Sequence, residues 1–190
     1  ETCFENLSIV NFNYDRCVEH FAYFWFQQMY DMAPEKAAGI VSRLRIFHPY
    51  GKLADLPHEN SSAHIAFGGK IDAHRLLQMA QSIRTYSESI DSGSEILSVQ
   101  DDLAAAKKVV FMGFGFHSQN LSLLSIPREK ARVTVRCFVT NSGISRARWD
   151  QCKSEIAQKF NLVAPNALFC FEKDGNCEEF WQEFGDVIVQ

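Results

Sequence analysis

The sequence predicts an α/β fold in which helices flank a Rossmann-like parallel β-sheet. Short β-rich runs alternate with longer helical segments along the chain, an order typical of parallel sheets. The run at residues 109–112 is wholly apolar, as expected for a strand covered on both faces. Polar or glycine-rich residues directly follow three predicted strands, at the sheet edge where such folds bind ligands.

Composition narrows the classes of function. The chain has 190 residues, 46% of them hydrophobic, and a net charge of -4, so we expect one folded domain over residues 1–190. The acidic balance argues against binding to nucleic acid or to an anionic membrane surface. No apolar stretch reaches the roughly 18 residues that span a bilayer, and no basic, apolar leader opens the chain. We therefore expect a cytoplasmic protein.

The first half of the chain predicts two strands, each followed by polar residues. A strand at residues 7–12 passes through a polar turn into a helix that ends near residue 30. The spacing of its apolar residues predicts a buried face made of Val18, Phe21, Ala22, Trp25 and Met29. A helix beginning near Pro34 and a short strand at residues 45–48 follow. Residues 49–69 lack periodicity and predict a long loop.

The second half continues the alternation. Helices are predicted at residues 71–84 and 95–107, around 120–124, after Ser145, and at 176–184. Strands are predicted at residues 109–112, 133–139 and 167–171. The last helix is expected to bury Cys177, Phe180, Trp181 and Phe184.

Three segments lie where a parallel sheet presents its ligand residues. They are Asn13-Tyr14-Asp15, His48-Pro49-Tyr50-Gly51 and Gly113-Phe114-Gly115-Phe116. Each also has a purely structural interpretation. Asn and Asp are preferred helix caps, a histidine on a strand is often a core residue, and a tyrosine ring often only packs. The G-x-G lacks the third glycine of a dinucleotide fingerprint and suits a tight strand-to-helix connection.

The order of these segments resembles the sirtuin-like NAD-binding domains, in particular their bacterial stand-alone branch. The resemblance rests on N-F-N-Y-D-R, then F-H-P-Y-G-K-L, then G-F-G-F-H-S-Q-N, and it covers about residues 7–125. In that family a strand ending in T-N-Y-D or Q-N-I-D precedes one ending in H-G. A further strand ending in G-T-S or G-Y-S follows.

The resemblance implies a set of site residues for NAD or a related nucleotide. Asn13 would lie against the nicotinamide ribose and Asp15 near the nicotinamide. The implied catalytic residues are Asn13, His48 and Tyr50, and the implied cofactor contacts are Asn13, Asp15, Gly113, Phe114, Gly115 and Ser118. Cleavage of the glycosidic bond of NAD passes through an oxocarbenium-like sugar, which polar oxygens stabilise.

The chain departs from the family pattern at several points. Tyr50 stands where the family has its catalytic histidine, and His48 lies two residues earlier. Gly115 replaces a serine that touches the ribose, with Ser118 as a substitute. No cysteines are spaced as the C-x2-C pairs of a zinc module, so the resemblance implies NAD hydrolysis rather than zinc-containing deacylation, and no metal. The family's glycine-rich first βα unit would precede residue 1.

These departures leave three hypotheses. The first is an NAD-binding domain that hydrolyses its ligand in the manner of bacterial defence proteins. The second is a catalytically inactive interaction or regulatory module, favoured by Tyr50. The third takes the G-F-G turn and Ser118 as a phosphate site for another nucleotide.

The resemblance also makes geometric predictions. Asn13, Asp15 and Tyr50 should share one cleft, with residues 113–116 opposite them, and residues 7–12 and 109–112 should be interior strands. Without the glycine-rich unit, one sheet flank is expected to be open, to pair with a second copy or a partner chain, or to be closed by an unexpected segment, and the affinity for NAD is expected to be low.

Overall fold

The computed structural model describes residues 3–59, 64–85, 93–130, 135–162, 168–170 and 175–189. It confirms a mixed α/β architecture with parallel strands. The chain divides into two compact units, Glu1–Ile96 and Leu97–Gln190. Each unit has its own small parallel sheet, so two sheets are present in the described residues where a single sheet was expected.

The first unit contains the two strands that carry the first two polar motifs. Strands β1 and β2 pair in parallel, with Ser8 opposite Arg45 and Val10 opposite Phe47. The elements are β1 (Ser8–Val10), α1 (Cys17–Tyr30), α2 (Pro34–Val41), β2 (Arg45–Phe47), a 3-10 helix (Pro57–Glu59) and α3 (Ala73–Gln81). Proline opens α2 at its first turn, as the sequence predicted.

The predicted buried face of α1 is only partly right: Ala22 packs against the core of the first unit and Val18 is half-buried. Phe21 and Met29 are 67% and 65% exposed, whereas Phe26 is only 8% exposed and packs against Ala37, Ile40 and Val41. The stripe that α1 turns inward begins at Glu19 and continues through Tyr23 to Phe26. The predicted stripe and the observed stripe both have helical spacing. The observed stripe starts with the charged residue Glu19, so apolar periodicity alone does not identify it.

The second unit is built on three parallel strands in the order β3, β4, β5. The remaining elements are α4 (Gly93–Ala105, which spans the boundary between the units), β3 (Lys108–Phe111), α5 (Ser118–Leu123), a 3-10 helix (Arg128–Lys130), β4 (Arg136–Val139), α6 (Arg146–Lys159), β5 (Leu168–Cys170) and α7 (Cys177–Val189). Residues 133, 134, 167 and 171 of the expected strands lie outside the described residues.

Strand β4, rather than β3, is the middle strand of the second sheet. In the described part of the chain β3 pairs with β4 alone, and β1 pairs with β2 alone, so neither is the interior strand that was expected. The last three residues of β4, from Cys137 to Val139, have no exposed surface, whereas β3 begins with the partly exposed Lys108.

Aromatic side chains fill the core of the second unit. The ring of Phe111 lies 5.7 Å from that of Phe116 and 5.4 Å from that of Phe160, measured between centroids. The Ser145 hydroxyl accepts a hydrogen bond from the Arg148 amide and caps α6, as predicted.

The prediction for the last helix is only partly right. Phe180 is fully buried and Phe184 partly so, but Trp181 is 44% exposed and Cys177 lies at the surface. Among the helices in the described residues, none is long and apolar enough to cross a membrane.

A pair of substitutions in α1 tests which face is buried. We expect Phe26→Ala to lower the free energy of unfolding by about 3 kcal/mol, because it leaves a cavity among α2 residues, and Phe21→Ala to change it by less than about 0.5 kcal/mol. Urea denaturation of both variants measures the difference. Equal losses would mean that the buried stripe of α1 has been assigned incorrectly.

Candidate functional site

The first two polar motifs meet at one edge of the β1–β2 sheet. Because the strands are parallel, their carboxyl ends lie side by side, and the Asn11 amide extends the ladder by donating to the Phe47 carbonyl at 2.8 Å. One residue beyond, Nδ1 of His48 lies 3.1 Å from the carbonyl oxygen of Asn13. The structure therefore brings Asn13 and His48 together.

The His48-Pro49-Tyr50-Gly51 segment forms a tight turn. The Gly51 amide donates to the His48 carbonyl at 2.9 Å, with proline at the second position. Gly51 has a φ of +82°, and a Cβ there would lie 1.8 Å from the Ser82 carbonyl oxygen. Glycine is therefore required at this position by both its backbone conformation and the close approach of the chain after α3.

Tyr50 packs within this turn. Its ring contacts the ring of Phe12 edge-on, with 5.8 Å between centroids, and its carbonyl accepts a hydrogen bond from the Arg84 amide. Tyr50 therefore sits beside β1, next in space to the residue that precedes Asn13. Its expected catalytic role stays a prediction.

A buried arginine joins the start of α1 to the loop after the turn. Arg16 is 4% exposed, and its guanidinium donates to the carboxylates of Glu19 at 2.7 Å and Glu59 at 2.6 Å. The same group donates to the Ala54 carbonyl at 2.9 Å. Although burial alone lowers the pKa of Arg16, its hydrogen bonds to Glu59 and Glu19 outweigh that effect and raise it.

Glu19 links this arginine to His48. Its Oε1 atom accepts from Arg16 Nε and lies 3.0 Å from Nε2 of His48. The two ring nitrogens of His48 thus face two acceptors, the Glu19 carboxylate and the Asn13 carbonyl. Both contacts are hydrogen bonds at once only when the ring carries a proton on each nitrogen.

The contacts of Glu19 strongly favour its ionised form. Burial alone raises the pKa of Glu19, but hydrogen bonds from His48, from its own backbone amide and from Arg16 lower it to about 2. The second oxygen, Oε2, is buried and has no hydrogen-bond partner within the part of the chain that the structure describes. The carboxylate is therefore held by contacts made almost entirely through Oε1.

Charged side chains of the loop after the turn surround Arg16. Lys52 extends the group by pairing with Asp55 at 2.8 Å, and Asp55 lies 3.7 Å from Arg16. Two permanent cations then face three carboxylates, those of Glu19, Asp55 and Glu59. The side chains of Lys52, Asp55 and Glu59 are 41%, 33% and 28% exposed, so only the Arg16–Glu19 part of this group is shielded from water.

A cavity of about 480 Å³ opens beside these residues. Its polar wall includes Arg16, Glu19, His48, Lys52, Ser82 and Arg84. The side chains of Asn13, Asp15 and Tyr50 do not line it. Of the residues predicted from the first two motifs as catalytic or cofactor-binding, only His48 faces this cavity.

Asp15 has the structural role that the sequence offered for it, hydrogen bonding at the start of α1. Its Oδ1 accepts a hydrogen bond from the Cys17 amide at 2.9 Å, at the first turn of α1. Hydrogen bonds with Cys17 lower the pKa of Asp15. The carboxylate is therefore ionised and held at the positive end of the helix.

The third motif lies at the carboxyl end of β3 in the second unit. Gly113 has a φ of +59°, and its amide donates to the Thr140 hydroxyl at 2.9 Å. Phe114 packs on Phe111 and Phe116. Gly115 is exposed, and Ser118 begins α5 at the surface. The structure places these four predicted cofactor contacts together on one short connection.

Phe116 anchors that connection to α6. Its side chain is fully buried, its φ is +50°, and its carbonyl accepts a hydrogen bond from Arg148 at 2.5 Å. The G-F-G-F segment is thus fixed by aromatic packing and one arginine, as its structural interpretation requires. Its proximity to Asn13, Asp15 and Tyr50 stays a prediction.

Several polar residues that form these sites were not predicted. Arg16, Glu19 and Glu59 carry the ion-pair network at the start of α1, and Thr140 and Asn141 are buried at the carboxyl end of β4. The Arg-x-x-Glu spacing at the start of α1 was the one available signal, since residues three apart on a helix are neighbours. Glu59 lies in an aperiodic loop and offers none.

Comparison with known proteins adds no relative. Neither a protein-family model, a curated protein nor a solved structure matches this chain. Within the described ranges, no three His, Cys, Asp or Glu side chains are grouped so as to hold a metal ion.

The low pKa of Glu19 gives a prediction for stability. Because its folded-state pKa of about 2 lies below the ordinary value of 4.5, its contribution is present above about pH 4.5 and is lost as the pH falls toward 2. We expect Glu19→Gln to lower the free energy of unfolding by about 3 kcal/mol near neutral pH, and this loss to shrink at acidic pH.

Urea denaturation of both proteins across that pH range measures the effect. The exposed Glu5→Gln is the control and should match the parent protein at every pH. A Glu19→Gln defect of constant size down to acidic pH would contradict the ionised, hydrogen-bonded state of Glu19.

The close approach at Gly51 gives a second prediction. We expect Gly51→Ala to destabilise the protein by at least about 2 kcal/mol, because its Cβ overlaps the Ser82 carbonyl and its φ is unfavourable. Gly68→Ala is the control, since its φ is also positive, at +71°, but no atom lies within 4 Å of its Cβ. Similar thermal midpoints for the two variants would contradict the packing described at Gly51.

Proposed function

We propose that this chain is a sirtuin-like domain that binds NAD or a related nucleotide at the carboxyl ends of β1 and β2. The observation that carries the proposal is the contact between His48 and the Asn13 carbonyl, because it joins two of the motifs on which the resemblance rests. Parallel sheets bind ligands at this edge. In this proposal Asn13 contacts the ribose next to the nicotinamide, and Asp15 lies near the nicotinamide itself.

The geometry favours binding without turnover over NAD hydrolysis. His48 is 6% exposed, and both of its ring nitrogens lie against acceptors, so it has no vacant nitrogen with which to accept a proton. Tyr50 packs its ring on Phe12. These contacts favour the second hypothesis, a catalytically inactive regulatory module, for the same nucleotide-binding surface.

A titration tests binding. We expect NAD to bind this chain, and Asn13→Ala to weaken the affinity by about threefold to tenfold, the effect of one lost hydrogen bond. Asn6→Ala, at another exposed position before β1, should leave the affinity unchanged. Calorimetry or NMR titration provides the measurement. If NAD does not bind, or if both variants bind it equally well, the proposed site is incorrect.

A parallel assay of nicotinamide release separates the two functional hypotheses. We expect no release above that of buffer alone, because neither His48 nor Tyr50 is placed to act as a base. Release that is abolished by Asn13→Ala and retained in Asn6→Ala would instead identify an NAD hydrolase.

A further inference from the structure

A second cavity lies in the first unit between α1, α2 and the 3-10 helix. Its volume is about 410 Å³, enough for a small aromatic ligand. Tyr23 and His58 line one part of it, and Ala38 and Gly39 of α2 line another. None of Asn13, Asp15 and His48 lines it, so it is separate from the proposed nucleotide site.

No packing contact in the described part of the protein explains why residue 39 is a glycine. It lies inside α2, where glycine is among the least favourable helix residues. A Cβ at this position would meet no atom within 4 Å, so no neighbouring group requires its absence. The missing side chain instead leaves the cavity open along this face of α2.

Tyr23 and His58 form a stacked aromatic pair at this cavity. Their rings are stacked with 3.9 Å between centroids and 7° between planes. Burial lowers the pKa of His58, which keeps the ring neutral at pH 7. Its Nε2 atom is buried and has no hydrogen-bond partner among the described residues, a condition that few polar atoms in native proteins share. This nitrogen therefore retains the capacity to form one further hydrogen bond.

The charges at the cavity select against anions. Two carboxylates, those of Glu35 and Glu59, line it, and no lysine or arginine does so among the described residues. Glu59 is already neutralised by Arg16 at 2.6 Å. Carboxylates at the rim accept hydrogen bonds from ligand N–H groups and repel a ligand carboxylate or phosphate.

We propose that this cavity binds a flat heteroaromatic group that is uncharged or cationic and carries N–H donors, as an aminopurine base does. The base would stack on the outer face of the Tyr23–His58 pair, with the open face of Gly39 opposite it and its amine directed to Glu35. This site is additional to the proposed nucleotide site and does not depend on it.

Adenine is the probe for this proposal, titrated into the full chain and followed by protein NMR. We expect saturable binding with a Kd on the order of 1 mM or tighter, as suits a ten-atom ligand. Gly39→Leu should weaken binding by at least about tenfold, because its side chain fills the space for the ring. Lys36→Leu is the matched control, since it adds the same side chain at an exposed position of α2 outside the cavity.

The variants also report on folding and on the other site. Leucine is a better helix former than glycine, so Gly39→Leu should have a thermal midpoint no lower than that of the parent. Gly39→Ala should give a smaller loss of adenine affinity in the same direction. Asn13→Ala should leave adenine binding unchanged, which separates this site from the nucleotide site. Benzoate, a flat anion, should not compete.

Three results would overturn the proposal. They are no saturable adenine binding to the parent chain, unchanged binding by folded Gly39→Leu, and loss of binding in Asn13→Ala that equals the loss in Gly39→Leu.

Discussion

The first unit depends on one buried carboxylate, that of Glu19. Through a single oxygen it accepts hydrogen bonds from Arg16 at the start of α1 and from His48 at the end of β2. His48 in turn lies against the carbonyl of Asn13, so the segment after β1 is tied to the segment after β2. Arg16 extends the connection to Glu59. Loops from three parts of the sequence are thereby fixed around the carboxyl edge of a very short sheet.

Such a network is better explained as a means of positioning the loops at this edge than as a source of stability for the fold. Burying ions costs desolvation free energy that their mutual attraction barely offsets, so apolar residues of similar volume often stabilise a fold as well. A sheet of two three-residue strands has few ladder hydrogen bonds to define its loops. The network supplies that definition. The network also occupies both ring nitrogens of His48. This is the physical reason why we propose a binding role, and not a catalytic one, for this edge of the sheet.

The alternation of strands and helices was predictable from the sequence because it depends on local sequence patterns. Apolar runs, Pro34 at the start of α2 and Ser145 at the start of α6 act within a few residues of themselves. The buried face of α1 was not predictable in this way. Its inward stripe begins at Glu19, whose burial depends on His48, 29 residues away along the chain.

The candidate site was predictable to a similar, limited extent. Placing Asn13 and His48 at neighbouring strand ends follows from parallel pairing alone. The contact of Arg16 with Glu59 does not, because 43 residues separate them and the loop carrying Glu59 has no periodicity. The second cavity, which Gly39 lines, was likewise not predictable, since an isolated glycine in a helical pattern gives no information about the space beside it.

A double-mutant cycle on Glu19 and His48 tests the network most directly. The free energies of unfolding of the parent chain, Glu19→Gln, His48→Gln and the double variant are measured by urea denaturation near neutral pH. If Glu19 and His48 form the hydrogen-bonded pair described above, the two substitutions are non-additive, with a coupling free energy of about 1–3 kcal/mol. Additive effects, within about 0.5 kcal/mol, would show that Glu19 does not tie His48 and the Asn13 segment together.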